Sequence, residues 1–242
     1  MKTVIIIPAR MASKRFPNKP MALIDGIPMI QRVWKQAIES NLGDTFVACS
    51  EIEVFELISN LGGNAIMTDP SLPSGTDRVY SALKQIQNYK SYESIINLQG
   101  DMPLIYPEKI IKINNLLIEG FDIGTLATNL TIKEEENVNI TKIKVTWTKK
   151  NDIGQAEDFY KNSKGIVRNI CQHVGIYSYK LESLIKFVSM SPSLNEQKFN
   201  LEQFRALDAK MSIGVSYVEN FPISVDTKED LINIENIIKN KR

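Results

Sequence analysis

Apolar and polar positions come in alternating blocks along the first half of the chain. Ile5-Ile6-Ile7 is a β-branched run that reads as a buried strand closed by Pro8. Met21 to Ile24 with Asp25-Gly26 predicts a short extended segment and a turn, after which Pro28 suits the first turn of a helix. Met29, Ile30, Val33, Trp34, Ala37 and Ile38 then recur at helical spacing, giving one apolar stripe with Trp34 in the core. Thr45 to Cys49 is a second buried strand. Ser50 with Glu53 predicts a capping box opening the next helix, and Gly62-Gly63 its end. Asn64 to Thr68 makes a third, short strand. Asp69 to Arg78 is turn chemistry running into a helix through Val79, Tyr80, Leu83 and Ile86, and Ser94 to Leu98 is another buried strand leading into Gln99-Gly100-Asp101.

The pattern continues with a helix over about Pro107–Glu119 and a strand over Ile123–Leu130. Lys133 to Asn139 reads as a solvated connection and Lys142 to Thr148 as a strand, while 149–170 is polar with little periodicity. Val174 to Tyr179 is strand-like. Leu194 to Met211 predicts one long amphipathic helix with Phe199, Phe204, Leu207 and Met211 inward, followed by a strand near Ile213–Val218. Thr227 with Asp230 caps a last helix carried on Leu231, Ile234, Ile237 and Ile238 to Lys239. Repeated strand–helix alternation predicts an α/β, Rossmann-like fold with a mostly parallel central sheet flanked by helices. Right-handed crossovers place the Arg10 loop, the Ser74 loop and Asp101 on one rim of that sheet.

Charge changes the picture at the first loop. The 242 residues carry a formal net charge of only +1, yet the first 24 hold five cations and no acid. Arg10, Lys14, Arg15 and Lys19 follow the first strand, where an α/β sheet binds ligands, and they suit a triphosphate. Neither a Walker A ending nor G-x-G-x-x-G is present, which disfavours ATPase and dehydrogenase classes. The near-neutral balance argues against a nucleic-acid binder, and no apolar run is long enough for a membrane helix. Cys49 and Cys171, far apart, suit packing roles in a reduced, cytoplasmic compartment.

Asp101 and Asp226 stand at strand ends, where two carboxylates beside a triphosphate suit magnesium; turn and cap roles are the simpler alternative. One histidine and no clustered cysteines argue against a zinc site, and no G-x-S-x-G elbow accompanies His173. On an alternating strand His173, Gly175 and Tyr177 share a face, so the histidine and tyrosine can meet a polar ligand across the glycine gap. Glu202 and Gln203 lie beside Phe204 on the long helix.

The motifs I-P-A-R-x-x-S-x-R-x-P at 7–17 with Lys19-Pro20, Ser74-Gly75-Thr76-Asp77-Arg78 and Gln99-Gly100-Asp101-x-Pro103 run in order with three more. These are His173-x-Gly175-Ile176-Tyr177, Leu201-Glu202-Gln203-x-Arg205 and Val225-Asp226-Thr227-x-Glu229-Asp230-Leu231. Together they resemble the 3-deoxy-manno-octulosonate (Kdo) cytidylyltransferases. The resemblance implies transfer of CMP from CTP to the anomeric hydroxyl of a 3-deoxy sugar acid for lipopolysaccharide synthesis, by a magnesium-dependent homodimer. It implies that Arg10, Ser13, Arg15 and Lys19 hold the triphosphate, that Ser74, Arg78 and Gln99 place the nucleotide, and that Asp101 and Asp226 bind magnesium. Arg10, Lys19, Asp101 and Asp226 would then be the catalytic set, and His173, Tyr177, Glu202 and Gln203 would line the sugar pocket. The single domain 1–242 divides on this reading into a nucleotide-binding core (1–130), a sugar-binding and dimerisation part (about 131–220) and a return to the core (221–242).

Two departures qualify the match. Where the family has Phe-Ser-Arg, this chain has Phe159-Tyr160-Lys161, so Lys161 takes the sugar-acid role without arginine's planar fork. Met102 replaces an acid after Gly100-Asp101. An amino-substituted Kdo or a sialate as substrate, or a non-catalytic nucleotide-binding role, stay open at this point.

Overall fold

Ile5, Ile6 and Ile7 form the fully buried middle of β1 (Thr3–Ala9). β2 (Leu23–Ile24) and β3 (Ile27–Pro28) make a small hairpin around Asp25 and Gly26, both at positive φ. α1 (Met29–Glu39) buries Met29, Ile30, Val33 and Ala37, whereas Trp34 is half-buried and Ile38 exposed, so the apolar stripe is narrower than the spacing predicts. β4 (Gly43–Cys49), α2 (Ile52–Asn60), β5 (Asn64–Met67), α3 (Gly75–Leu83), β6 (Ser94–Asn97) and α4 (Pro107–Ile118) follow. The capping box at Ser50 does not form: α2 starts one residue later, with Glu51 in the cap position and making no side-chain cap.

The computed structural model describes residues 1–12, 15–148, 152–163 and 169–240, and the chain clusters into two units: Met1–Ile110 with Pro222–Arg242, and Ile111–Phe221. In the first unit β1 pairs in parallel with β4 and β6, and β4 with β5, as strand–helix alternation requires. Cys49 and Cys171 are buried free thiols, and burial pushes each up to about 11.

The second unit contains β7 (Ile123–Thr128), α5 (Ile132–Glu135), β8 (Lys142–Trp147), β9 (Ile153–Tyr160), β10 (Ile170–Lys180), α6 (Leu181–Ser189), α7 (Leu194–Phe199), α8 (Gln203–Asp208) and β11 (Ile213–Tyr217). Here only β7–β11 is parallel, and β10–β7, β10–β8, β11–β9 and β8–β9 are antiparallel, so the parallel expectation holds for the first unit and not for this one. The five strands pair in a closed ring. α5, opened by a Thr131–Glu134 capping box, lies within the predicted solvated connection, and β9 lies in the stretch without periodicity.

The predicted long helix at 194–211 is two short ones. Asn200 takes the left-handed conformation (φ 52°) and stops α7. Arg205, buried in α8, then makes two charge-assisted bonds to Glu196 of α7 (2.8 and 2.6 Å) and lies over the Phe187 ring, so the two helices are fastened across the break. Phe199 remains substantially exposed.

The chain then returns to the first unit through α9 (Lys228–Lys239), where the predicted Thr227–Asp230 capping box is present. Beneath it Phe16, Ile24, Met29, Val225 and Ile234 form one apolar cluster. The cluster joins the basic loop, the hairpin, α1 and the Asp226 turn.

Within the second unit, a Cβ on Gly124 of β7 would stand 2.5 Å from both the Ile113 carbonyl oxygen and Ser178 Oγ. Gly124→Ala is therefore expected to destabilise by about 1–3 kcal/mol, seen as a lower urea midpoint with an unchanged slope.

Candidate active site

The first group of candidate residues is built on the carboxyl ends of the parallel strands of the first unit. β1 ends at Ala9 and releases Arg10, which is exposed. Ser74 caps α3, its hydroxyl accepting the Asp77 N–H at 3.1 Å. A Cβ on Gly75 would lie 3.7 Å from Pro8 and 3.8 Å from Gln99, so the β1 end, the α3 start and the residues after β6 come together as the crossover rule predicts. Gln99 is held by Asn97 at 3.0 Å.

Arg78 sits in the first turns of α3 and is 2% exposed. Its Nη1 donates to Thr68 Oγ1 at 2.5 Å, while Nη2 is buried without a partner. Burial pulls its pKa below the usual arginine range. A buried guanidinium with an open N–H pair is poised to meet an acceptor on a ligand.

Asp101 and Asp226 are remote in sequence and adjacent in space because the Val225 N–H donates to the Asp101 carbonyl at 2.9 Å. Lys19, set by a 3-10 turn after left-handed Asn18, reaches both carboxylates, at 2.7 Å from Asp101 and 3.4 Å from Asp226. Arg15 pairs with Asp226 at 2.9 Å. Two of the cations expected to face phosphate, Lys19 and Arg15, thus face the two aspartates directly. Met102 is buried and adds nothing to this charge set. Ser13 and Lys14 lie outside the described residues. Among the described residues no three metal-ligating side chains cluster. Two carboxylates converging on one cation nevertheless fit magnesium, which takes few protein ligands and completes its shell from phosphate and water.

The second group lies in the second unit. His173 on β10 is buried, with Phe159 edge-on at 5.3 Å and Tyr177 at 5.6 Å between ring centroids. The predicted gap at Gly175 is real: a Cβ there would meet nothing within 4 Å. His173 Nε2 lies 3.0 Å from Thr125 Oγ1, which itself lies 2.9 Å from the Ile176 carbonyl and 3.1 Å from that of Val174. Carbonyls only accept, so the single Thr125 proton goes to them and His173 Nε2–H donates to the hydroxyl. Nδ1 is left as an acceptor. Burial, then the nearby Lys161 charge, pushes His173 down to about 3.

Tyr177 hydroxyl accepts from Gln203 Nε2 at 2.5 Å, and Gln203 Oε1 is buried without a partner. Burial and the Glu202 charge raise the tyrosine pKa. Tyr177, Glu202 and Gln203 line a small, partly open pocket of about 10 Å³. Lys161 does not join them; with Phe159 it lines a separate cleft of about 690 Å³ bordered by Phe199 and Phe204. Sequence reasoning missed Thr125 and Phe159, the immediate neighbours of His173. Thr125 carries no motif, since only the antiparallel β7–β10 pairing brings it across, and Phe159 stands in the altered Phe-Tyr-Lys segment without any sign of its contact with His173.

Parallel strands whose rim carries phosphate-suited cations and paired aspartates define an α/β nucleotidyltransferase. Among solved structures, CMP:2-keto-3-deoxy-manno-octonic acid synthetase complexed with CTP superposes with a TM-score of 0.91 at 29% identity, covering 100% of both chains. UDP-glucose pyrophosphorylase complexed with UDP-glucose, at TM-score 0.72 and 14% identity over 100% of both chains, shares the fold. The cytidylyltransferase family model matches residues 4–213. The 3-deoxy-manno-octulosonate cytidylyltransferase of Paramagnetospirillum magneticum is 39% identical over 98% of this chain and 97% of its own. That of Rickettsia rickettsii is 40% identical over 94% and 93%. The chain belongs to the 3-deoxy-manno-octulosonate cytidylyltransferase family.

A histidine whose folded pKa is depressed to about 3 opposes protonation of the native state. Its stability contribution is complete above the unfolded value near 6.5 and is lost as pH falls toward 3, with a slope of up to about 1.4 kcal/mol per pH unit. Unfolding free energy followed by urea titration should fall through this window in the wild type and fall less steeply in His173→Gln.

Proposed function

We propose that the protein transfers CMP from CTP to the anomeric hydroxyl of 3-deoxy-D-manno-octulosonate, releasing pyrophosphate, as a magnesium-dependent cytoplasmic homodimer. The observation that carries this reading is Lys19 bridging Asp101 and Asp226 on the cationic rim of a chain 39–40% identical, nearly end to end, to enzymes of that name. The cytoplasmic, dimeric and magnesium-dependent parts rest on the family resemblance.

In the reaction the sugar hydroxyl oxygen forms a bond to the α-phosphorus, the bond to the β-phosphate oxygen breaks, and the hydroxyl proton leaves to solvent. Such a transfer asks for alignment and charge neutralisation rather than covalent help. Arg10, Arg15 and Lys19, with Ser13, take the triphosphate and stabilise charge building on the departing pyrophosphate. Ser74, Arg78 and Gln99 seat the nucleoside, with Arg78 offering its open Nη2 to an acceptor on it. Asp101 and Asp226 would hold magnesium, which would make phosphorus more electrophilic and the hydroxyl more acidic. Lys19 and Arg15 then exchange carboxylate for phosphate oxygen.

His173 stays neutral throughout the working range and acts as a hydrogen-bonding wall of the sugar pocket, not as a proton carrier. Tyr177, with its own proton free to donate, and Gln203, with an open carbonyl oxygen, bind sugar hydroxyls beside Glu202. Lys161, whose charge acts on His173 and whose cleft is shared with Phe159 beside that histidine, meets the sugar carboxylate from the neighbouring cleft as a point charge.

Pyrophosphate release from CTP and magnesium is expected only when Kdo is added, and Asp101→Ala should abolish it while CTP still binds. Release with a sialate but not with Kdo would overturn the substrate assignment, and no release with any sugar acid would overturn catalysis. Lys161→Arg restores a bidentate fork and should lower the Kdo KM, roughly tenfold if one charge-assisted bond is gained. An unchanged or higher KM would place the carboxylate elsewhere.

A further inference from the structure

Lys142 is a lysine with no exposed surface. Among the described residues no carboxylate forms an ion pair with it; its Nζ donates instead to two main-chain carbonyls, Asn137 at 2.5 Å and Lys161 at 2.8 Å. Burying an ammonium without a countercharge is costly, and burial accordingly lowers its pKa, with the nearby Lys161 charge acting in the same direction and Glu134 and Glu135 against it. A methionine would fill the same space without that cost.

What the charge achieves is visible in its partners. Asn137 lies in the turn after α5, and Lys161 is the residue just beyond β9, so neither carbonyl belongs to a strand or helix. β8 begins at Lys142, which stands opposite Tyr160 of β9 on one side and Gln172 of β10 on the other. Next to it, the Thr141 carbonyl accepts the His173 N–H at 2.9 Å. Two residues past Lys161, the Ser163 N–H donates to the Glu135 carbonyl at 3.1 Å. The start of β8 is thus bonded to the main chain of both His173 and Lys161.

We propose that Lys142 is a positioning residue for the sugar-acid site: its buried ammonium clamps the main chain at Lys161 and so sets where the Lys161 side chain meets the sugar carboxylate. The inference rests on the reading of Lys161 given above. Three charge-assisted donors on one centre can hold two carbonyls of irregular chain together, which no apolar residue can do.

The test is steady-state kinetics on the full-length protein with CTP, magnesium and Kdo, comparing wild type, Lys142→Met, Lys161→Met and the double variant. Lys142→Met is expected to raise the Kdo KM roughly tenfold, with the CTP KM little changed. In the Lys161→Met background the same change should add little, because both act on one contact. Additive effects, or a lower melting temperature with an unchanged Kdo KM, would reduce Lys142 to a packing role and overturn the proposal. If Lys161→Met leaves the Kdo KM unchanged, it is the assignment of Lys161 that fails, and the clamp with it. Should Lys142→Met not fold, Lys142→Gln replaces it: the shorter amide cannot serve both carbonyls, so the Kdo KM should still rise, and an unchanged KM refutes the clamp.

Discussion

The first unit depends on a single backbone hydrogen bond, from the Val225 N–H to the Asp101 carbonyl. It fixes the relative position of two carboxylates that the chain separates by more than half its length. The apolar cluster of Phe16, Ile24, Met29, Val225 and Ile234 supports it from below, so the burial that stabilises this unit also aims its charged groups. Lys19 and Arg15 then pair with the aspartates. Fixed positive and negative groups thus stand together at one rim, held in place by the fold.

The second unit works by a different principle. Its candidate residues are buried or half-buried and mostly neutral: a histidine held in one tautomer by Thr125, a tyrosine accepting from Gln203, and an amide oxygen without a partner. Such groups offer directed donors and acceptors rather than net charge. The division of labour is electrostatic in one unit and directional in the other.

The first unit was legible because each signal had one reading. β-branched runs became buried parallel strands, Ser74 and Thr227 became caps, and the cationic loop sits at the strand ends. The failures follow from local exceptions. Asn200 breaks an unbroken amphipathic period: asparagine adopts positive φ readily, but the apolar spacing on either side outweighs that local signal. β9 buries Gly154, Ala156 and Phe159, and two small residues leave almost no hydrophobic alternation to detect. In Lys142-Ile143-Lys144-Val145 alternation points both lysines outward, yet Lys142 is buried, because its partners are carbonyls brought in by a closed ring of strands. At the candidate site the residue types were readable, whereas their pairing was not. Cations and aspartates suited phosphate and metal separately, and nothing in the spacing brought Lys19 onto both carboxylates.

The first unit is assembled from two pieces of chain separated by the whole of the second. During synthesis the second unit has all of its own residues before Asp226 is made, whereas the parallel strands of the first wait for α9 and the Phe16 cluster to be completed. A growing chain therefore carries its cationic loop and Asp101 well before Asp226, which is added only after the second unit has been made. In that interval Lys19 can pair with Asp101 alone, and its bridge between two carboxylates closes only after the chain has returned to the first unit.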